Sequence, residues 1–183
     1  MTTNSGFRVV GSDTLCDAGF LSVSRLRVTD GEGGEFDRHV VHHPGAVVIV
    51  PVIDGDAVLV RQWRVATGRE LLEVPAGKRD VDGEAPETTA NRELEEEIGY
   101  RAGRLDPLCE FYNSPGFCDE YTYLFLATEL EARTRAAVSA EEAAMTIERV
   151  PLDRVDALIA AGELVDAKSI IGLLLARQFL RGE

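Results

Sequence analysis

Several things are scarce in this chain of 183 residues, and each scarcity removes a class of function. No apolar run approaches the roughly 20 residues a bilayer-spanning helix needs, so a soluble protein is predicted. Cysteine is sparse: Cys16, Cys109 and Cys118 are odd in number and far apart, with no CxxC pair. That argues against a disulfide framework or a zinc knuckle and predicts a reducing cytoplasm. Positive charge is short, with 19 basic against 32 acidic residues and a net charge of −13. Such a surface repels nucleic acid and anionic membranes, so neither is an expected partner. A small anionic substrate is still admissible where arginines or divalent cations reverse the local balance. The start MTTNSGFRVV has no basic segment followed by an apolar block, and no secretion signal is predicted. Internal repeats and low-complexity linkers are also missing, and the length suits one domain with an N-terminal extension.

What is present reads as strands first and helices later. GFRVV and GFLSVSRLRVTD have extended character, and Gly31, Gly33 and Gly34 mark a turn before HVVHH. AVVIVPVI (46–53) and AVLVRQW (57–63) flank Asp54-Gly55-Asp56, a strong hairpin signal. RELLEVPAG (69–77) reads as one further strand, and LDPLCEFY (105–112) and YTYLFLATEL (121–130) as two more. From Pro86, Ala90, Leu94 and Ile98 recur at helical spacing, and Gly99 stands where a helix stops. Residues 131–145 carry no clear pattern. TIERV reads as a short strand, PLDRVDALIAAG as a helix between Pro151 and Gly162, and DAKSIIGLLLARQFL as a helix with an apolar face. This order predicts a mixed α+β class rather than regular βαβ alternation.

The segment RELEEEIGY (92–100) is where chemistry is concentrated. On a helix, Glu93, Glu96 and Glu97 stand at i, i+3 and i+4, so three carboxylates share nearly one face. Each like-charge pair costs about 0.2–0.5 kcal/mol, and the negative end of the helix dipole adds to it. Taken alone, the run reads as a solvated acidic face. A hard divalent cation would instead offset the repulsion, since Mg²⁺ binds through one or two carboxylates plus substrate phosphates.

The wider stretch GKRDVDGEAPETTANRELEEEIGY decides between these readings, because it resembles the Nudix box, GX5EX7REUXEEXGU with U a bulky apolar residue. Glu84, Arg92, Glu93, Leu94, Glu96, Glu97, Gly99 and Tyr100 fall in register; six residues separate Gly77 from Glu84 where the pattern has five. A loop absorbs one extra residue cheaply. HPGAVVIVPV, RQWR, LLEVPAGK, FYNSPGFCDEYTYLFLA and VPLDRVDALIAAGELVDAKSIIGLLL extend the likeness to the ADP-ribose pyrophosphatase branch of the Nudix hydrolases.

That resemblance implies a Nudix-like α/β/α sandwich with a mixed sheet over 44–183, and an antiparallel β extension over 1–43 that forms a homodimer. It implies Mg²⁺, with Mn²⁺ as the alternative, held by Glu93, Glu96, Glu97 and the carbonyl of Ala76, with Glu73 in the outer part of the site. Arg92 would orient the cluster, and Glu84 would be an outer carboxylate. Arg61 and Arg64 become candidates for the anionic substrate, their other reading being exposed arginines on an alternating strand. Pro115 holds the place of a proline that accompanies ADP-ribose hydrolysis, and reads equally as a turn proline. The general base falls to Glu141, with Glu142 behind it and Glu120 as a further candidate. His39 and His43 share one side of HVVHH without a carboxylate at matching spacing, so no metal site is expected there. Trp63 and Tyr112 are expected in the core or at an interface. The expected activity is hydrolysis of ADP-ribose to AMP and ribose 5-phosphate. The alternatives are a pyrophosphatase for GDP-mannose, another nucleotide sugar or a dinucleotide, and an ADP-ribose sensor that does not cleave.

Overall fold

A computed structural model describes residues 6–182 of the chain, which forms two compact units. One comprises residues 6–45 and 112–121, the other 46–111 and 122–182. Residues 1–5 of the expected 1–43 extension lie outside the described residues.

In the first unit, β1 (Arg8–Asp17), β2 (Ser22–Thr29) and β3 (Glu35–His42) form an antiparallel sheet in that order. The β2–β3 turn is set by Asp30, whose carboxylate accepts from the backbone N–H of Glu32 at 2.8 Å and of Gly34 at 2.9 Å. The loop 113–120 is fastened to β3: Val41 N–H donates to the Phe117 carbonyl at 2.7 Å, and Asp119 N–H donates to the Val41 carbonyl at 3.1 Å. Phe7, Val9, Val10 and Leu15, on and beside β1, remain exposed.

The second unit is built on a seven-stranded mixed sheet. β4 (Ala46–Ile53) and β5 (Asp56–Arg64) form the expected hairpin, with Asp54 and Gly55 at φ 53° and 87°, the primed turn that matches strand twist. β9 (Tyr121–Ala132) pairs with β4 in parallel, β8 (Tyr100–Tyr112) takes one edge, and β10 (Thr146–Pro151) pairs antiparallel with β5. The single strand expected at 69–77 is two. β6 (Arg69–Glu73) pairs with β5, Val74 and Pro75 interrupt, and β7 (Ala76–Lys78) pairs with β4. Proline has no N–H for a ladder, so the chain changes partner there, and its carbonyl accepts from Ile49 N–H.

Alternation along β4 divides the core. Val47 and Ile49 face α1 (Pro86–Ile98), whose Ala90, Leu94 and Ile98 are buried with Val58, Val60, Phe125 and Ala127. Val48 and Val50 face the opposite layer, where α3 (Val155–Ala160) and α4 (Ala167–Arg181) bury Val155, Leu158, Leu173 and Ala176. The result is the expected α/β/α sandwich. Two further features tighten the helices. Gly99 ends α1 at φ 70°, donating its N–H to the Leu94 carbonyl, and Gly172 lets α4 approach the sheet, since a Cβ there would stand 2.8 Å from Val50 Cγ2. In the unpatterned segment, α2 (Ala140–Ala144) is a short helix. Among the described residues, no helix is long and apolar enough to cross a membrane.

Candidate active site

α1 carries its carboxylates to the inner edge of β7. Leu94 and Ile98 are buried on the sheet, which is worth roughly 2 kcal/mol each and outweighs the like-charge cost of the acidic face. That anchoring turns Glu93 and Glu97 inward, to 8% and 4% exposure. Glu97 Oε2 accepts from Ala76 N–H at 3.3 Å. The Glu93 carboxylate lies directly over Gly77, where an added Cβ would stand 1.8 Å from Cδ, so only glycine leaves room for it.

Both carboxyls are pushed up by burial. Glu97 reaches about 8, with the neighbouring Glu93 charge raising it further, while Ala76 N–H and Arg64 pull it down. Glu93 reaches about 7, with Arg92 opposing and Glu96 assisting. The charge of Glu142 raises both. A site that holds two buried carboxylates against their ionisation is short of positive charge.

Arg92 supplies some of it. Its Nη1 donates to Glu93 Oε1 at 2.8 Å and to Glu96 Oε2 at 3.2 Å. Its Nη2 reaches the Lys78 carbonyl at 3.4 Å and Glu84 Oε2 at 3.5 Å, and Glu84 Oε2 accepts from Thr89 Oγ1 at 2.7 Å. With Glu96 turned to Arg92, no three Asp, Glu, His or Cys side chains among the described residues converge as they would around a metal ion. The donor set still fits a hard divalent cation: all-oxygen ligands, two of them buried and partly uncompensated, beside a glycine cradle. In the loop between Gly77 and Glu84, Glu84 N–H donates to the Val81 carbonyl, Gly83 adopts φ 75°, and Arg79 Nη2 donates to the Glu84 carbonyl.

The two candidate substrate arginines are both paired. Arg64 donates to Glu73 through Nε at 2.8 Å and Nη2 at 2.7 Å, and Glu73 is buried. The β5–β6 register sets Val60 opposite Glu73, so Glu73 projects on the same face of the sheet as Val60 and Arg64, the face that α1 covers. Arg61 donates to Glu148 on β10 through Nε at 2.6 Å and Nη2 at 3.3 Å. Neither partner was visible at sequence separations of 9 and 87.

Glu141 is exposed on α2, and Glu142 is half-buried. Glu142 is engaged in a capping box: its N–H donates to Ser139 Oγ at 3.1 Å, and its carboxylate accepts from Ser139 Oγ at 3.0 Å and Val138 N–H at 2.8 Å. The Ser139-x-x-Glu142 spacing is the signal that would have located this helix start.

In the first unit, Pro115 and Glu120 both lie in the fastened loop, and Pro115 is exposed. The histidines do not converge: His43 Nδ1 accepts from Gly45 N–H, while His42 Nδ1 is 2.6 Å from Asp119 Oδ2, a carboxylate that sequence spacing could not supply. Trp63 and Tyr112 are both more than half exposed, which rules out a core position for either.

The NUDIX domain model matches residues 42–170. An ADP-ribose pyrophosphatase of Mycobacterium tuberculosis is 38% identical over 96% of this chain and 86% of its own length. An ADP-ribose pyrophosphatase of Bacillus subtilis is 39% identical over 81% of the chain and 80% of its own length. A crystal structure of an ADP compounds hydrolase superposes with a TM-score of 0.86, covering 100% of this chain and 98% of that one at 23% identity, a likeness of fold.

Proposed function

The chain belongs to the Nudix domain family, and from that membership we propose that it hydrolyses the pyrophosphate bond of ADP-ribose, releasing AMP and ribose 5-phosphate. The observation that carries this is the acidic face of α1, with Glu93 and Glu97 buried over Gly77 and Ala76 and left short of cations. A divalent cation, Mg²⁺ first and Mn²⁺ second, would be held by Glu93, Glu96, Glu97 and Ala76. It would neutralise pyrophosphate oxygens and acidify a water.

The chain's own residues would do the rest. Arg92 tethers Glu93 and Glu96 and keeps their oxygens in a fixed arrangement. Arg61 and Arg64 are pre-oriented by Glu148 and Glu73, and each has Nη1 outside those pairs to donate to a phosphate oxygen. Proton removal from the attacking water is assigned to the Glu141–Glu142 pair, with Glu142 favoured because its charge acts on both Glu93 and Glu97. Its carboxylate would have to leave the Ser139 cap to do so. Pro115 is retained as a substrate-side residue of the loop 113–120. Exposed Phe7, Val9, Val10 and Leu15 support a homodimer through the first unit, and three free cysteines support a cytoplasmic protein.

The test is incubation with Mg²⁺ in ¹⁸O-labelled water and a panel of ADP-ribose, GDP-mannose and dinucleotides. AMP and ribose 5-phosphate, with label in one of them, are expected. Faster cleavage of another panel member reassigns the substrate, and tight ADP-ribose binding without cleavage makes the protein a sensor.

A further inference from the structure

The segment 133–145 connects β9 to β10 and carries the pair assigned to proton removal, and its fastening is uneven. At one end it is tied to the C-terminus of α1: Arg133 N–H donates to the Gly99 carbonyl at 2.8 Å, and Ala136 N–H to the Glu95 carbonyl at 3.3 Å. At the other end Met145 is buried in the core under α1. Between them stands α2, five residues long with none buried. So short a helix does not sustain itself, because nucleation is unfavourable and no apolar face holds it down. Its start is satisfied by the Ser139–Glu142 capping box. At its end the Glu142 carbonyl accepts from Met145 N–H at 3.1 Å.

Arg135 adds side-chain donors at that end. Nη2 donates to the Glu142 carbonyl and Nη1 to the Met145 carbonyl at 3.5 Å, a cation at the negative end of the helix. Arg135 itself is half-buried, and its backbone packs on Gly99, where an added Cβ would stand 3.2 Å from Arg135 N. One side chain thus spans from the residue that ends α1 to the last turn of α2. No carboxylate pairs with it among the ion pairs found in the described residues.

We propose that Arg135 is a positioning residue: it fixes where Glu141 and Glu142 stand relative to Glu93 and Glu97 by holding the carbonyls of Glu142 and Met145, at the end of α2, against the end of α1. The kinetic part rests on the proposed hydrolysis, whereas the structural part does not. Removing the clamp frees the pair to wander without touching the acidic face. Turnover should therefore fall while substrate and metal affinity hold.

The experiment compares the wild type with Arg135→Met, which keeps the stem and loses the donors, and Arg135→Lys, which keeps a charged donor. Hydrogen exchange is followed by mass spectrometry, and kcat and KM are measured with ADP-ribose and Mg²⁺. In R135M, amides over 138–145 should exchange about tenfold faster while those of α1 hold. Its kcat should fall about 10- to 100-fold with KM within about threefold, and R135K should recover most of the loss. Unchanged exchange over 138–145 overturns the proposal whatever the kinetics. So does a raised KM at wild-type kcat, which would make Arg135 a substrate contact. Faster exchange in R135M, in a protein whose wild type cleaves nothing, supports the clamp and sinks the hydrolytic reading instead.

Discussion

Replacing Glu97 by Gln should make the metal-free protein more stable while removing its activity. Glu97 is 4% exposed, and burial pushes its carboxyl from an ordinary 4.5 up to about 8. The unfolded chain releases this proton near pH 4.5, and the folded chain holds it until about pH 8. The penalty on folding is therefore absent below pH 4.5, grows with each unit above it, and is complete above about 8. At pH 7 the interval is about 2.5 pH units, and at about 1.4 kcal/mol each this amounts to about 3 kcal/mol. Glutamine is neutral throughout and retains an oxygen for Ala76 N–H, so E97Q escapes most of that penalty. For a chain of this size, 1 kcal/mol moves Tm by roughly 2–4 °C, giving a gain of about 6–12 °C at pH 7. The assay is calorimetry with a chelator present, at pH 5.5, 7 and 8. The advantage of E97Q should be small at pH 5.5 and widen steadily. Adding Mg²⁺ at a hundred times its Kd should return about 2.7 kcal/mol to the wild type and less to the variant, narrowing the gap. Turnover of E97Q should drop by orders of magnitude. A variant no more stable than the wild type at pH 8, or a gap independent of pH, refutes the argument that burial opposes the ionisation of Glu97.

Gly77→Ala places a methyl within the Glu93 carboxylate and should cost about 100-fold in turnover together with Mg²⁺ affinity; calorimetric titration with wild-type affinity would contradict this. Gly172→Ala puts a Cβ 2.8 Å from Val50 Cγ2 and 3.1 Å from Leu124 Cδ1, so urea melts should reveal a loss of about 1–3 kcal/mol with kcat unchanged, and an unaltered midpoint would count against that packing. Glu142→Gln should slow turnover far more than Glu141→Gln while leaving stability nearly unchanged, since a glutamine oxygen can still accept in the capping box; the reverse order in kcat would reassign the base to Glu141.

What the sequence disclosed was whatever is set by neighbours along the chain. Pro86, the Ala90–Leu94–Ile98 repeat and Gly99 bound α1 because caps and helical spacing act within one or two turns. Asp54-Gly55 specified its hairpin for the same reason. The i, i+3, i+4 spacing put three carboxylates on one face, but it could not say which would be buried. That depends on β7 lying beneath them and on Gly77 yielding space to Glu93. The pairs Arg61–Glu148 and Arg64–Glu73 follow from strand registers, which no local pattern encodes. The apolar pattern of 69–77 persists across Val74 and so predicts one continuous strand, whereas Pro75 redirects the ladder. Ser139 and Glu142 had the capping spacing, yet alanines around them offered no apolar face to corroborate a helix.

The loop from Arg79 to Glu84 is bridged at its base, with Arg92 reaching Lys78 on one side and Glu84 on the other, and Arg79 tying back to the Glu84 carbonyl. Chain length above that bridge is uncoupled from the carboxylates below it. Doubling a flexible loop adds only about 0.6 kcal/mol of closure entropy. The turn at Asp82-Gly83 is therefore a natural insertion port, where a peptide tag or a small sensing module could be spliced in while Glu93 and Glu97 stay seated on β7.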